Sequence, residues 1–395
     1  MTRTIIDIHV LQNVPPNNMN RDDTGTPKSA YYGGVRRARV SSQAWKRAVR
    51  TRFNELLPPE DLGVRTKKVV EALAERITVH APEAAGAAVA LAEKILRAAT
   101  GSSFESPKRK NKGGDETAVP EAKYLMFLSR RQLDALAEMA VDVSGGDVEK
   151  LEKALKDKEQ KARARQAVDT RHSVDIALFG RMVADSADLK VEAATQVAHA
   201  LSVHRSELES DYYTAVDDLS GESESGAGMI GTVDFHSATL YRYAAVDVDE
   251  LRRNLGAGLR DDESPSTPAS KTVRAFLEAF VTSLPTGKVN TFGNHTLPSA
   301  VIVTIRDRWP ISFVGAFEEP VPKSAEGGFL RESCRRLAAY VPDLERQYGL
   351  GDLPTWVFRV GEETRALAEL GTGVTLPALL EQVGDAVAER LGSGA

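Results

Sequence analysis

Asn20–Arg50 reads NRDDTGTPKSAYYGGVRRARVSSQAWKRAVR. It opens polar and turn-rich, carries a glycine pair at Gly33-Gly34, and then becomes basic. Between Asp23 and the next acid, Glu55, lie eight cations: Lys28, Arg36, Arg37, Arg39, Lys46, Arg47, Arg50 and Arg52. A globular surface normally intersperses both signs. Like charges with none opposing repel one another unless something anionic lies across them. Ser41 or Ser42 suits an N-cap, and Gln43 to Asn54 is predicted helical. Ala44, Trp45, Ala48, Val49 and Phe53 fall on one face. Lys46, Arg47 and Arg50 fall on another, with 46 and 50 one turn apart. The helix N-terminus offers free N–H groups and two hydroxyls, which suit phosphate. An irregular Arg-rich loop followed by a capped basic helix is therefore predicted to grip a nucleic-acid backbone. A solvated basic helix is the plainer alternative.

The rest of the composition sharpens this contrast. Residues 1–59 hold ten cations and four acids, a balance of +6; the remainder hold 41 and 52, a balance of −11, so the net charge of −5 hides a local electropositive site. With 395 residues and 42% hydrophobic content, two or three packed lobes are expected. A single cysteine, Cys334, excludes a disulfide framework and a thiolate metal site. No signal peptide and no bilayer-length apolar run is visible, so the cytoplasm is expected.

Ile5 to Leu11 is an apolar, β-branched run ended by Pro15, Pro16, Asn17 and Asn18, and reads as a first strand. Residues 60–100 are alanine-rich with helical periodicity. Gly101 to Pro120 is a loop whose cations are Lys108, Arg109, Lys110 and Lys112. Asp147 to Val168 reads as one charged helix, with Lys150, Lys158, Lys161 and Arg165 on a single face; its interleaved acids offer intrahelical pairing as an alternative. Ser173 to Phe179 is predicted to be a strand and Val191 to Val203 an amphipathic helix. Ser206 to Thr232 is acidic, Gly-rich and too long for an ordinary connection. Strands are predicted at Thr232–Val246, Ala300–Ile305, Ile311–Phe317 and Thr355–Val360. Helices are predicted near Val248–Leu255, Ser270–Leu284, Phe329–Arg346 and Leu376–Leu391. This mixture is an α+β chain.

Chemical motifs are few. GAGMIG (Gly226, Gly228, Gly231) matches G-x-G-x-x-G but lacks the strand before and helix after that a dinucleotide site needs. Gly287-Lys288 lacks the first glycine and the Ser/Thr of a P-loop. The seven histidines (9, 80, 172, 199, 204, 236 and 295) make no metal motif and are expected to be structural or on the surface. No RNP signature predicts aromatic stacking on the sheet. Asp22 and Asp23, in a loop beside cations, could bind Mg²⁺ and cut RNA. Asp-Asp-Thr-Gly is also a good turn, and that structural role is the expectation adopted.

LQN-x(6)-NRDDTG-x-PK-x(4)-GGVRRARVSSQ-x-x-KRAVR closely resembles the start of the CasC family, backbone subunits of the type I-E CRISPR complex Cascade. The likeness recurs at Asp175–Met182 (DIALFGRM), Gln196–His199 (QVAH), Asp211–Asp218 (DYYTAVDD), Gly226–Gly231 (GAGMIG) and Ala238–Tyr243 (ATLYRY). The resemblance implies a right hand: an RRM-like (ferredoxin-like) palm, a helical fingers insertion and a protruding thumb loop or hairpin. The implied parts are palm at 1–59, 171–205 and 233–395, fingers at 60–170 and thumb at 206–232. It implies an oligomeric, CRISPR RNA-binding scaffold in antiviral defence, several copies of which hold the guide for pairing with target DNA beside other Cascade subunits. It implies no enzyme activity, no cofactor, no metal and no membrane. Ser41, Ser42, Gln43, Lys46 and Arg50 would position phosphates, with Arg21 and Lys28 reaching from the loop and Arg36, Arg37, Arg39 and Arg47 completing the site. Met182 would pack on a base or ribose, and the thumb, including Tyr213 and Thr214, would wedge beside a displaced base. Lys150, Lys158, Lys161 and Arg165 would hold the DNA duplex. A metal-dependent ribonuclease using Asp22/Asp23 and a generic single-strand binder are the alternatives.

Overall fold

The computed structural model describes residues 3–106, 119–182, 189–215, 229–256, 266–323 and 328–392. Lys108, Arg109, Lys110 and Lys112 lie outside them, as do Asp217, Asp218, Glu222, Glu224, Gly226 and Gly228. The chain divides into two compact units. One is Met1–Phe53, Gln196–Asp247 and Val273–Arg390; the other is Asn54–Thr195, Val248–Thr272 and Leu391–Ala395.

The first unit is built on Ile5–Asn17, a strand covered on both faces along most of its length. It pairs antiparallel on one side with the long strand Met229–Asp247, from Ile5↔Asp247 to Val14↔Ala238. On the other it pairs antiparallel with Ala300–Arg306, from Ile5↔Arg306 to Leu11↔Ala300. Beyond Ala300–Arg306 the sheet adds Thr355–Arg359 and Thr372–Gly373. Beyond the long strand it adds Ala200–Ser202, then Val35–Val40, then Ser29–Tyr32. The mixture of helices around a large sheet is the expected α+β class. The first strand outruns its expected end at Leu11. Pro15 and Pro16 cannot donate to the ladder, so the register shifts between Val14 and Asn17. The Asn17 side chain then takes up the pairing, donating to the Pro15 and His236 carbonyls.

Because both faces are covered, the polar residues of this strand must find partners inside. Arg306 Nε donates to Asp7 Oδ2 at 2.6 Å, the Tyr243 hydroxyl to Oδ1 at 2.8 Å and the Ile311 N–H to Oδ2 at 2.9 Å. Burial pushes the Asp7 carboxyl up to about 6, against the pull of these donors. The His9 ring lies 3.9 Å from the Phe313 ring, centroid to centroid, with Nδ1 2.9 Å from the Tyr241 hydroxyl. Arg242 is sandwiched between Trp45 (3.8 Å) and Phe280 (4.6 Å) and donates to Gln12 Oε1.

In the second unit, Val69–His80, Ala88–Thr100, Arg130–Ser144, Val148–Ala154 and Lys158–Asp169 close on a core that includes Leu73, Ile77, Leu91, Ile95, Leu133 and Leu136. Ser129 and Gln132 form a capping box at the start of Arg130–Ser144.

Four sequence expectations are corrected. Ser173–Phe179 is not a strand: Val174–Phe179 is a helix, stopped at Gly180 with φ +76°. Val191–Val203 is not a helix. Its segments Thr195–Val197 and Ala200–Ser202 are strands, because the long strand offers them an edge (Leu240↔Ser202, Tyr241↔Leu201). Ile311–Phe317 is not a strand; Ser312 caps a 3₁₀ turn over Phe313–Phe317 that buries both phenylalanines. Asp147–Val168 is not one helix. Asp147 caps Val148–Ala154, and Asp157 restarts the chain as Lys158–Asp169 by accepting from the Glu159 and Gln160 N–H groups. Lys150 therefore sits on a different helix from Lys158, Lys161 and Arg165, and the four do not form one stripe. All four are exposed.

Candidate nucleic-acid interface

The interface begins at a clamped loop. Asp22 Oδ1 accepts from the Thr24 hydroxyl (2.7 Å), the Thr24 N–H (3.0 Å) and the Thr26 N–H (3.1 Å). These bonds, the hydroxyl first, hold its carboxyl below the ordinary range. The carboxylate thus builds an Asx-type turn. Asn18 donates to the Gly25 and Asp234 carbonyls, and the Thr26 hydroxyl donates to Asp234 Oδ2 at 3.1 Å. Asp234 belongs to the long strand and also accepts from the Ser210 hydroxyl at 2.7 Å. One carboxylate therefore ties the loop bearing Arg21 to the hairpin bearing Tyr213. Nothing in the sequence singled Asp234 out.

The expected irregular Arg-rich loop is a β-hairpin. Ser29–Tyr32 pairs with Val35–Val40 from Ser29↔Ala38 to Tyr32↔Val35. Gly33 and Gly34 make the two-residue turn, with φ +58° and +76°, where both positions need the left-handed region. Gly33 also approaches the Glu318 carbonyl so closely that a Cβ would sit 1.6 Å from its oxygen.

Pleating separates the arginines. Arg37 is wholly buried. Its guanidinium donates to the carbonyls of Tyr32 (3.1 Å), Ser202 (2.9 Å), Phe317 (2.8 Å) and Glu318 (3.0 Å). Its assignment to the RNA contacts is corrected: it is the bolt that fastens the hairpin. Arg36, one residue earlier and on the opposite face, is exposed. Arg39 donates from Nε to the Ser29 carbonyl and lies with Nη1 3.1 Å from His199 Nδ1. Burial, then Arg39 and Lys28, lower the His199 pKa, so these three side chains sit together. The lack of a metal motif says nothing of this place for His199; its position in the QVAH likeness is the one signal the sequence carries.

The helix Ser42–Leu56 follows. Ser41 is its N-cap, with Oγ accepting from the Ala44 N–H at 3.3 Å. Asn20 Oδ1 accepts from the Ser41 N–H at 2.8 Å, joining the loop to the helix start. Trp45, Val49 and Phe53 are buried, as their spacing requires. Gln43 and Arg47 are exposed, while Ser42, Lys46 and Arg50 are half-buried. Burial lowers the Lys46 pKa. Arg21 is exposed and Lys28 half-buried. The structure thus brings Arg21, Lys28, Arg36, Arg39, Ser41, Ser42, Gln43, Lys46, Arg47 and Arg50 onto one loop–hairpin–helix unit of continuous chain.

The described ends of the 206–232 stretch are strands: Glu209–Ala215 pairs with the start of the long strand, Tyr213 opposite Gly231. The Tyr213 ring covers Gly231, where any Cβ would lie 2.4 Å from the phenol. Tyr212 is 62% exposed, and Thr214 is also exposed. GAGMIG runs into this strand, the wrong element for a dinucleotide site. Met182, in the second unit, is 87% exposed, so it is not a core residue. It lines a cavity together with Tyr124 and Leu125.

Cys334 is buried and its thiol is pushed up to about 12, which disfavours a thiolate. Among the described residues no His/Cys/Asp/Glu group could hold a metal ion, and no helix is long and apolar enough to cross a membrane.

A family model described as CT1975-like protein matches residues 6–382. A solved chain described as "CRISPR RNA-guided surveillance complex, pre-nicking" is similar with a TM-score of 0.81 and 33% identity, covering 97% of this chain and 100% of that one. Another, described as "CRISPR RNA-guided surveillance complex", is similar with a TM-score of 0.71 and 29% identity, covering 97% and 99%. No curated protein matches.

Proposed function

The chain belongs to the CT1975-like protein family, and on that premise we propose that it is a CRISPR RNA-binding backbone subunit of a type I-E Cascade surveillance complex. Copies line up along the guide RNA beside other Cascade subunits and present the spacer to target DNA. Watson–Crick pairing supplies sequence specificity, so the protein needs no sequence readout of its own. The observation that carries the reading is the near full-length likeness to surveillance-complex chains. The loop–hairpin–helix of cations supplies the chemistry.

In this reading Ser41, Ser42, Gln43, Lys46, Arg47 and Arg50 hold phosphates at the helix start. Arg21, Lys28, Arg36 and Arg39 extend the track. Met182 meets a base or ribose, and Tyr213 and Thr214 act from the thumb hairpin. The palm is ferredoxin-like, and the fingers at 60–170 offer Lys150, Lys158, Lys161 and Arg165 to duplex DNA. The protein is not an enzyme. The turn built on Asp22 supports a structural role for that residue, since its carboxylate is already committed.

The test is titration of the purified chain with a repeat–spacer RNA and an unrelated RNA of equal length across a salt series. Equal affinities with a steep salt dependence are expected. Failure to bind RNA, or strong preference for one sequence, would remove the proposal.

A further inference from the structure

Tyr31 is 75% exposed on the edge strand Ser29–Tyr32. Directly opposite it in register is Arg36, whose guanidinium carbon lies 5.8 Å from the ring centroid. That is within the range over which a cation is drawn to an aromatic face. Arg36 alternates with Ala38 and Val40 on one face of the strand. Ala38 and Val40 pack with Trp45 of the capped helix. The Tyr31–Arg36 pair therefore extends the helix side of the sheet. At ~3.3 Å per residue it lies about 16 Å from Ser41, within reach of a short oligonucleotide.

The backbone beneath the pair is pinned. The Tyr32 hydroxyl donates to the Val314 carbonyl at 3.2 Å. Gly33 rests against Glu318, and Arg37 is bolted beneath. The Arg36 carbonyl accepts from the Ser206 N–H at 2.8 Å. The backbone that carries the Tyr31 ring is thus fixed before a ligand arrives, which lowers the cost of ordering the site when a second ring stacks on it.

We infer that Tyr31 and Arg36 form a stacking platform for one nucleobase of the bound RNA. This rests on the RNA-binding reading above and adds a contact to the base. A phosphate contact alone needs only the cation. A cation beside an open aromatic face suits a ligand that is both flat and negatively charged, which a nucleotide is. Such stacking tolerates any sequence, because every base has a π-face.

The experiment compares two strands of equal length bound to the full chain: a mixed-sequence RNA and an abasic ribose-phosphate strand. Tyr31→Ala is expected to weaken the base-bearing RNA by about 5- to 160-fold, the range of one lost base stack. It should leave the abasic strand, the salt slope and the thermal midpoint unchanged. Tyr31→Phe should retain wild-type affinity. Equal loss on both strands, or unchanged affinity for both, would overturn the platform. Loss of self-association at unchanged RNA affinity would assign Tyr31 to a contact between copies, and would overturn it too. A wild type that binds neither strand would overturn the RNA reading itself, and the platform with it.

Discussion

Arg36 and Arg37 are neighbours in sequence with opposite fates, and substituting each separates folding from binding. Arg37 makes four hydrogen bonds to backbone carbonyls, at 2.8 to 3.1 Å, inside the first unit. A hydrogen bond to a charged group is worth about 1.5–3 kcal/mol, but such terms do not add. Removing one partner of a buried charged network typically costs ~3–5 kcal/mol. That is a large share of the roughly 5–15 kcal/mol by which a domain is stable. For a unit of this size each kcal/mol moves the midpoint by about 2–4 °C. Arg37→Ala should therefore lower the thermal midpoint by roughly 6–20 °C. Arg37→Lys should rescue little, since a point-like ammonium cannot span four diverging carbonyls. Arg36→Ala, at an exposed site, should stay within ~0.5 kcal/mol of wild type in stability. It should flatten the log–log salt slope of RNA binding by about 0.7 if Arg36 meets one phosphate. The assays are melting followed by circular dichroism and RNA titration in a salt series. An Arg37→Ala protein with an unchanged midpoint and weakened RNA binding would refute the reasoning.

Lys46→Ala and Arg50→Ala should each flatten the salt slope by about 0.7 and weaken all RNA sequences alike; a loss confined to some sequences would show base readout instead. Gly33→Ala should destabilise the hairpin far more than Gly34→Ala, because only Gly33 faces a carbonyl at a forbidden 1.6 Å; equal midpoints for the two variants would contradict the packing. Asp22→Asn with Asp23→Asn should keep RNA binding, or tighten it slightly by removing two repulsive charges. No Mg²⁺-dependent cleavage is expected from either form, and a product ladder from wild type that the double variant abolishes would establish a ribonuclease. Burial lowers the pKa of His172 and of His236 to about 4. The stability they contribute is present above the unfolded value of 6.5 and is lost as pH falls through 6.5 towards 4. Asp7 acts oppositely, since its raised pKa returns stability as pH falls from about 6 to 3.8. His172 lies in the second unit, apart from Asp7 and His236, so the midpoint of that unit should drop between pH 7 and pH 5; a rise would refute the burial of His172.

The capped helix was legible because its signals are local. Two serines precede it, apolar residues recur every three or four positions, and the cations fall between them. The hairpin is masked by its charge, although its parts are visible: Gly-Gly flanked by Ala-Tyr-Tyr and Val-Arg-Arg-Ala-Arg-Val is a two-residue turn between strands. Counting charges treats eight cations as equivalent. A pleated strand does not, since it sends Arg36 and Arg37 to opposite faces. Whether Arg37 is buried then depends on Phe317 and Glu318, some 280 residues away. No local pattern carries that. The failure at 191–203 has the same origin: Ala200–Ser202 is extended because a distant strand offers it an edge.

The same distant contacts explain how a local basic site works on an acidic chain. Cations on a flexible loop would repel one another and splay, and binding would have to offset the cost of ordering them. Here each segment is fastened by groups that carry no positive charge to the ligand. Asn20 fixes the helix start, Asp234 fixes the loop, and the Glu318 and Phe317 carbonyls fix the hairpin through Arg37. One arginine of the cluster is withdrawn from the surface to hold the others in place. In the proposed reading the remaining cations form a preformed track, where an anionic backbone would relieve their repulsion instead of first having to organise them.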